Sequence, residues 1–223
     1  MPSSDNIALG NVPDALSQAT GDAFKSSRLN LMLSQLTASY KLYWLRGIFD
    51  EATAGVTVIP MRRIAARMVA LAWYPVTYFR LNLGATDQLE HAVRRAHEVC
   101  DLRDDATEEQ ILEAVLTSSD RGLAQRLDKL CRYVPQRLIR TFYVERLNAE
   151  RIRVGLGSQK FEARVDRLIV EYNGQDSAGA PYCFVDQGTA IEVDPEWAVY
   201  FADNRQVIED WLDMQLVGAR KPL

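Results

Sequence analysis

The sequence predicts a mainly α protein, in which a multi-helix domain is followed by a small α+β C-terminal part. Apolar residues recur at every third or fourth position through most of the first 150 residues, which is the spacing of one helical face. After Gly157 short β-branched and aromatic runs alternate with polar turn residues, a pattern typical of strands. We therefore expect a loose arm over residues 1–26, a helical domain over 27–154 and an α+β region over 155–223.

The first predicted helix begins at Ser27 and ends around Ala54-Gly55, with a bend near Thr37. Its apolar stripe consists of Leu29, Met32, Leu33, Leu36, Tyr40, Tyr43, Trp44 and Ile48. The arm before it is rich in proline, glycine and small polar residues, which cannot cover much apolar area. This composition is the reason for predicting no regular structure there.

A short strand and a second long helix are predicted next. The run 56–59 is β-branched and lies between Gly55 and Pro60, which favours an extended segment. A helix is expected to begin near Met61. Pro75 should end or kink this helix, because proline has no amide hydrogen to donate and disfavours helix in the residue before it.

Three more amphipathic helices are predicted, at residues 87–100, 108–116 and 123–144. Thr86 can cap the first of them, since a threonine hydroxyl accepts hydrogen bonds from the first helical amides. Thr107 and Gln110 have the spacing of a capping box, which predicts where the second begins. Pro135 is expected to interrupt the third before residue 138.

The C-terminal region is predicted to hold short strands and two helices. Strands are expected at residues 168–172 and 182–185, on either side of a turn at Asn173-Gly174. Asp194 can cap a helix whose first position is Pro195, where a missing amide hydrogen costs nothing. A last helix carries Trp211 and its apolar neighbours.

Charge is distributed unevenly along a chain whose overall net charge is -4. Residues 121–167 contain 12 Lys and Arg against 5 Asp and Glu, whereas residues 168–223 contain 3 against 10. The basic stretch can supply a surface that faces phosphates, and the acidic stretch cannot. The alternative is that the two stretches neutralise each other across an internal interface.

Arginines are the candidate nucleic-acid-binding residues, because a guanidinium group matches the geometry of phosphate and stacks on aromatic rings. The candidates are Arg62, Arg63, Arg67, Arg132, Arg137, Arg140, Arg146, Arg151 and Arg153. Tyr133 and Tyr143 are interleaved with them and can add stacking. The structural alternative is that several of these arginines pair with Glu145, Glu150 and Glu162.

No catalytic, metal-binding or cofactor-binding residue is predicted in this chain. His91 and His97 are its two histidines, and they lie about 240° apart around one predicted helix, so they cannot chelate the same ion. Sequence motifs for nucleotide phosphates, dinucleotides or a serine nucleophile are absent. Three scattered cysteines, no apolar run long enough for a membrane span and a polar start predict a cytoplasmic protein.

Two aromatic segments stand out, Ser39–Trp44 and Ala72–Val76. Because their aromatic side chains fall on apolar helical faces, they are interpreted as a core that joins the first two long helices. The alternative is an exposed stacking platform for bases.

The segments Ser39–Trp44, Arg67–Val76 and Tyr78–Gly84 resemble the opening of a family of bacterial HNH-endonuclease-domain proteins. Residues 132–138 and 192–201 are similar to later segments of the same family. The resemblance implies a DNA-cleaving or defence-related enzyme whose front region binds DNA, a partner or a trigger. The family's nuclease module lies downstream of this region and is absent from this chain, so a divalent cation is implied only if such a module is supplied elsewhere.

These observations predict the non-catalytic nucleic-acid-recognition or assembly portion of a bacterial HNH-type nuclease system. The expected partners are nucleic acid, DNA foremost, and a nuclease subunit or a second copy of the chain, without a membrane. The alternative is a protein–protein adaptor that uses its acidic C-terminal region and aromatic surface and does not bind nucleic acid.

Overall fold

The computed structural model consists of helices and one small antiparallel sheet, and it describes residues 12–33, 40–81, 83, 87–103, 105–155 and 157–218. The predicted fold class, mainly α with a small α+β part, is confirmed. The helices are α1 (Val12–Thr20), α2 (Ala23–Leu33), α3 (Tyr40–Thr53), α4 (Met61–Thr77), α5 (Gln88–Val99), α6 (Glu108–Thr117), α7 (Arg121–Ile139), α8 (Val144–Val154), α9 (Ser158–Gln175), α10 (Pro195–Asp203) and α11 (Arg205–Gly218). The strands are β1 (Val58–Pro60), β2 (Tyr182–Val185) and β3 (Ala190–Val193), and a 3-10 turn, Arg140–Tyr143, joins α7 to α8.

The centre of the fold is the pair α3 and α4. Every residue from Leu42 to Phe49 and from Ile64 to Ala70 is buried, because other helices surround both segments. Gly47 lets the two helices approach closely, since a Cβ at that position would lie 3.1 Å from Cγ2 of Ile64. The aromatic interpretation is confirmed for Tyr43, Trp44 and Trp73, which are fully buried in this core.

Helical structure begins earlier in the chain than the sequence predicted. The arm expected over residues 1–26 is helical from Val12 to Thr20, because Leu16 packs into the core, and α2 already begins at Ala23. Asp22 caps α2 through a 2.9 Å hydrogen bond from the Lys25 amide. The helix predicted from Ser27 is described in two parts, α2 and α3, and residues 34–39 between them, with the predicted bend near Thr37, lie outside the described residues.

Neither internal proline ends its helix where the sequence predicted. α4 continues for two residues after Pro75, and α7 runs through Pro135 to Ile139. Both rings are buried, so packing stabilises the helical path despite the missing amide. The Pro135 carbonyl is also used, since it accepts a 2.7 Å hydrogen bond from the Tyr182 hydroxyl.

The strand predicted at residues 168–172 is wrong, because this segment lies in α9. Its apolar residues continue the helical spacing that begins at Phe161 and Val165, and they face the core. Asn173, predicted to turn the chain, is a buried residue of the same helix. The strand predicted at residues 182–185 is confirmed as β2.

Strands from distant parts of the chain form the sheet, in the order β1-β3-β2. Ile59 pairs with Ile191 in one antiparallel ladder, and Tyr182 pairs with Val193 in the other. The buried apolar side chains form one cluster that extends from α1 to α11. Residues from both predicted regions therefore share a sheet and a core, and the boundary near residue 154 stays a prediction.

The helix N-caps at Thr107 and Asp194 lie where the sequence predicted them. Thr107 and Gln110 form the predicted capping box at the start of α6. Asp194 accepts hydrogen bonds from the Glu196 and Trp197 amides at the start of α10, as predicted. Asp87 caps α5, and Thr86, which was predicted to do so, lies outside the described residues.

Candidate nucleic-acid interface

The first three candidate arginines, on α4, do not form an open basic surface. Arg67 is buried and donates to Glu51 at 2.9 Å and to Glu109. Arg63 donates to the other oxygen of Glu51 at 2.7 Å. Burial disfavours the charged form of Arg67, but its hydrogen bonds to the two glutamates outweigh this and raise its pKa. Arg62 alone of the three is exposed without an ion pair among the described residues.

The second half of α7 presents two exposed arginines around one exposed ring. The guanidinium carbons of Arg137 and Arg132 lie 5.3 Å and 6.0 Å from the ring centroid of Tyr133. Arg137 also donates to the Tyr40 hydroxyl at 3.4 Å, and neither arginine has a carboxylate partner among the described residues. Both cations are therefore free to meet an anion from solution.

The remaining candidates follow on the 3-10 turn and on α8, and most of them have partners. Arg140 makes a two-pronged contact with Glu162, at 2.7 and 2.8 Å, and this contact lowers the pKa of Glu162. The guanidinium of Arg146 lies 4.1 Å from the Tyr172 ring centroid. Arg153 pairs with its helical neighbour Glu150. The other candidate on α8, Arg151, is exposed and forms no ion pair with a described residue.

The structure adds one cation that the sequence reasoning missed. Lys41 is half-buried at the start of α3, where burial, and then the charges of Arg137 and Arg140, lower its pKa. Its ammonium has no hydrogen bond or ion pair with a described residue. Packing of α3 against α7 brings it to the basic surface, and nothing in the local sequence around Lys41 signals this.

The acidic C-terminal stretch is engaged elsewhere. Glu209 and Asp213 of α11 both accept hydrogen bonds from Arg46 of α3, and Glu196 pairs with Lys25 of α2. Within the described part of the chain, no ion pair joins an arginine of residues 121–167 to a carboxylate of residues 168–223. The alternative had suggested that the two stretches neutralise each other, but no direct ion pair between described residues of the two does so.

Potential metal ligands do not cluster in the described segments. No group of three or more His, Cys, Asp or Glu side chains there has the geometry to hold a metal ion. His91 is exposed, and the ring of His97 lies 5.5 Å from that of Trp73. Burial, and then the charge of Asp128, raises the pKa of Cys131 to about 12, so its thiol is protonated and a poor nucleophile. None of the described helices is long and apolar enough to cross a membrane.

Comparison with known proteins yields no relative: no protein-family model, curated protein or solved structure matches this chain.

Proposed function

We propose that this chain recognises nucleic acid through a basic surface formed by the second half of α7, the 3-10 turn and α8. The observation that carries the proposal is the exposure of Arg132 and Arg137, which form no ion pair with a described carboxylate, beside the exposed ring of Tyr133. Guanidinium groups interleaved with an aromatic ring suit a phosphate backbone with accessible bases.

The resemblance to HNH-endonuclease-domain proteins suggests where such a surface acts. We infer that the chain is the recognition or assembly part of a bacterial HNH-type nuclease system, with DNA as its first expected ligand and defence as its setting. Cleavage and the divalent cation that it needs would belong to a nuclease module outside the described residues. No side chain described here is assigned a catalytic role.

Salt dependence of DNA binding tests the proposal. Each phosphate neutralised by the protein contributes about 0.9 to the slope of log affinity against log salt for duplex DNA, and about 0.7 for single strands. Arg137→Ala is expected to weaken binding and to reduce this slope by about 1. Arg140→Ala should also weaken DNA binding. In this variant Glu162 loses its ion-pair partner as well, so Arg137→Ala is the simpler test.

Arg103→Ala is the matched control, because it removes the same charge from an exposed loop where Arg103 pairs with Asp105. That loop borders a groove lined by carboxylates, including Glu109 and Glu113, which repels phosphate. The proposed surface is rejected if the affinity depends neither on salt nor on Arg137→Ala. It is also rejected if Arg103→Ala lowers the affinity as much as Arg137→Ala does.

An adaptor function is the second candidate, and one observation favours it. Tyr78 and Phe79 follow α4, are 65% and 62% exposed, and contact each other edge to face. Aromatic side chains are enriched at protein interfaces relative to the rest of the surface. If the chain is an adaptor, light scattering should detect a homo-oligomer or a stable complex with a partner. Added nucleic acid should not change this assembly, and the double variant Tyr78→Ser, Phe79→Ser should weaken it.

A further inference from the structure

Lys41 of α3 lies beside the basic surface and forms no ion pair with a described residue. It is half-buried, yet its ammonium has no hydrogen-bonding or ion-pair partner among the described residues, and the charged groups that act on it are the guanidinium groups of Arg137 and Arg140. A buried cation normally has an anionic partner, because its desolvation is otherwise unfavourable. Burial, and then the charges of Arg137 and Arg140, lower the pKa of Lys41.

The carboxylates nearby leave an excess of positive charge. Glu162 is occupied by Arg140, which holds both of its oxygens. Asp166, one turn further along α9, lies within range of Arg137 and Arg140, but burial raises its pKa and it forms no ion pair with a described residue. Among the described residues, these three cations therefore have at most two carboxylates nearby, which leaves an excess of one positive charge.

Tyr133 lies beside this cluster, with 41% of its surface exposed. It is linked to the cluster through Arg137, whose guanidinium carbon is 5.3 Å from the ring centroid and whose Nη1 lies 3.4 Å from the Tyr40 hydroxyl. The ring and its neighbouring guanidinium planes make a platform on which an unpaired base can stack. Bases of a duplex have their faces covered by neighbouring pairs and cannot use such a platform.

We propose that Lys41, Arg137 and Arg140 bind one backbone phosphate while Tyr133 stacks on an adjacent base, so that this surface prefers single-stranded nucleic acid to duplex. The inference rests on the proposed nucleic-acid function and specifies its ligand. Lys41 supplies the compact point charge, and the two arginines supply directional hydrogen bonds to the phosphate oxygens, Arg140 through the N–H groups that its contact with Glu162 leaves unused.

Fluorescence anisotropy with two labelled DNA probes tests the inference. One probe is a single-stranded oligothymidylate of about twelve nucleotides, within the usual site size of single-strand binders, and the other is a hairpin duplex of equal length. The intact chain is expected to bind the single strand about tenfold more tightly. Tyr133→Leu should weaken single-strand binding by about fivefold or more and leave duplex binding unchanged.

Lys41→Met is the companion variant. Methionine keeps an unbranched apolar stem in the half-buried position, so the fold is expected to persist, and circular dichroism verifies this. The loss of one phosphate contact should reduce the salt slope for the single strand by about 0.7. Arg103→Met is the control for the lost charge, and Tyr78→Leu is the control for the lost exposed ring; neither should change affinity.

The outcomes separate this inference from the function on which it rests. Equal affinity for the two probes, or an equal effect of Tyr133→Leu on both, overturns the single-strand preference while leaving a nucleic-acid-binding surface intact. An unchanged salt slope in a folded Lys41→Met variant overturns the phosphate role of Lys41. Failure of the intact chain to bind either probe at low salt rejects the proposed function itself.

Discussion

Glu51 is the residue whose replacement most directly tests how α3 and α4 are held together. Its carboxylate is 1% exposed and accepts hydrogen bonds from Arg63 through one oxygen and from Arg67 through the other. Glu51→Gln keeps the volume and one acceptor oxygen but removes the charge. Arg67 then remains buried with Glu109 as its only carboxylate partner among the described residues.

The expected cost follows from the exposure of each group. Arg63 is 37% exposed and Glu109 is 71% exposed, so contacts of these two contribute at most about 1 kcal/mol each. Arg67 is only 9% exposed, and removing one partner of a buried ion pair typically costs about 3 to 5 kcal/mol. Since glutamine still accepts one hydrogen bond, we expect Glu51→Gln to lower the free energy of unfolding by about 3 kcal/mol.

Urea unfolding followed by tryptophan fluorescence measures this loss, because all four tryptophans are buried in the same core. Glu109→Gln is the control, since it removes the exposed partner of the same arginine and should cost less than about 1 kcal/mol. Glu51→Met combined with Arg67→Met should cost less than the two single changes added together, because no charge is left buried. A Glu51→Gln variant as stable as the unaltered protein would refute this account of the α3–α4 contact.

Two further predictions concern stability. Burial raises the pKa of Asp50 from 3.8 to about 6. Arg46 offsets this effect only in part, and it also donates hydrogen bonds to Glu209 and Asp213. The native state then binds this proton more tightly than the unfolded state does. The resulting stabilisation is fully present below pH 3.8, and the free energy of unfolding falls by up to about 3 kcal/mol as the pH rises to 6. In a series of urea unfolding curves at different pH values, Asp50→Asn should reduce this pH dependence. Asn173→Ala should cost about 3 kcal/mol in the same assay at pH 7, because its buried amide donates to the Tyr143 hydroxyl and the Tyr182 carbonyl and accepts from the Phe184 amide; a cost below about 1 kcal/mol would contradict that network.

Features determined by neighbouring residues were predictable from sequence. The caps at Thr107 and Asp194 were predicted correctly, because a capping hydrogen bond joins residues two or three positions apart. The helix through residues 168–172 was missed, because its β-branched run favours a strand locally and only packing against the core decides for a helix. The interruption predicted at Pro135 was wrong for a similar reason, since the burial of its ring depends on distant parts of the chain.

The candidate site was only partly predictable for a related reason. Arginine composition located the basic stretch, but whether each guanidinium is available depends on partners far away in sequence. Arg67 meets Glu51 and Glu109, which are 16 and 42 positions away, and is thereby removed from the accessible surface. Arg137 meets Tyr40 across 97 positions, which is what brings Lys41 into the same cluster.

Net charge is a poor guide to what this chain can bind, because its acids and bases are paired unevenly. Carboxylates of α11 surround Arg46 on α3, where they help to hold the C-terminal helix on the core. Exposed charges separated by more than about 10 Å are largely screened at 0.1 M salt, so a phosphate responds to the charges within its own neighbourhood. Around Tyr133 those charges are mainly positive, and a protein with a formal net charge of -4 can therefore still present a surface suited to a polyanion.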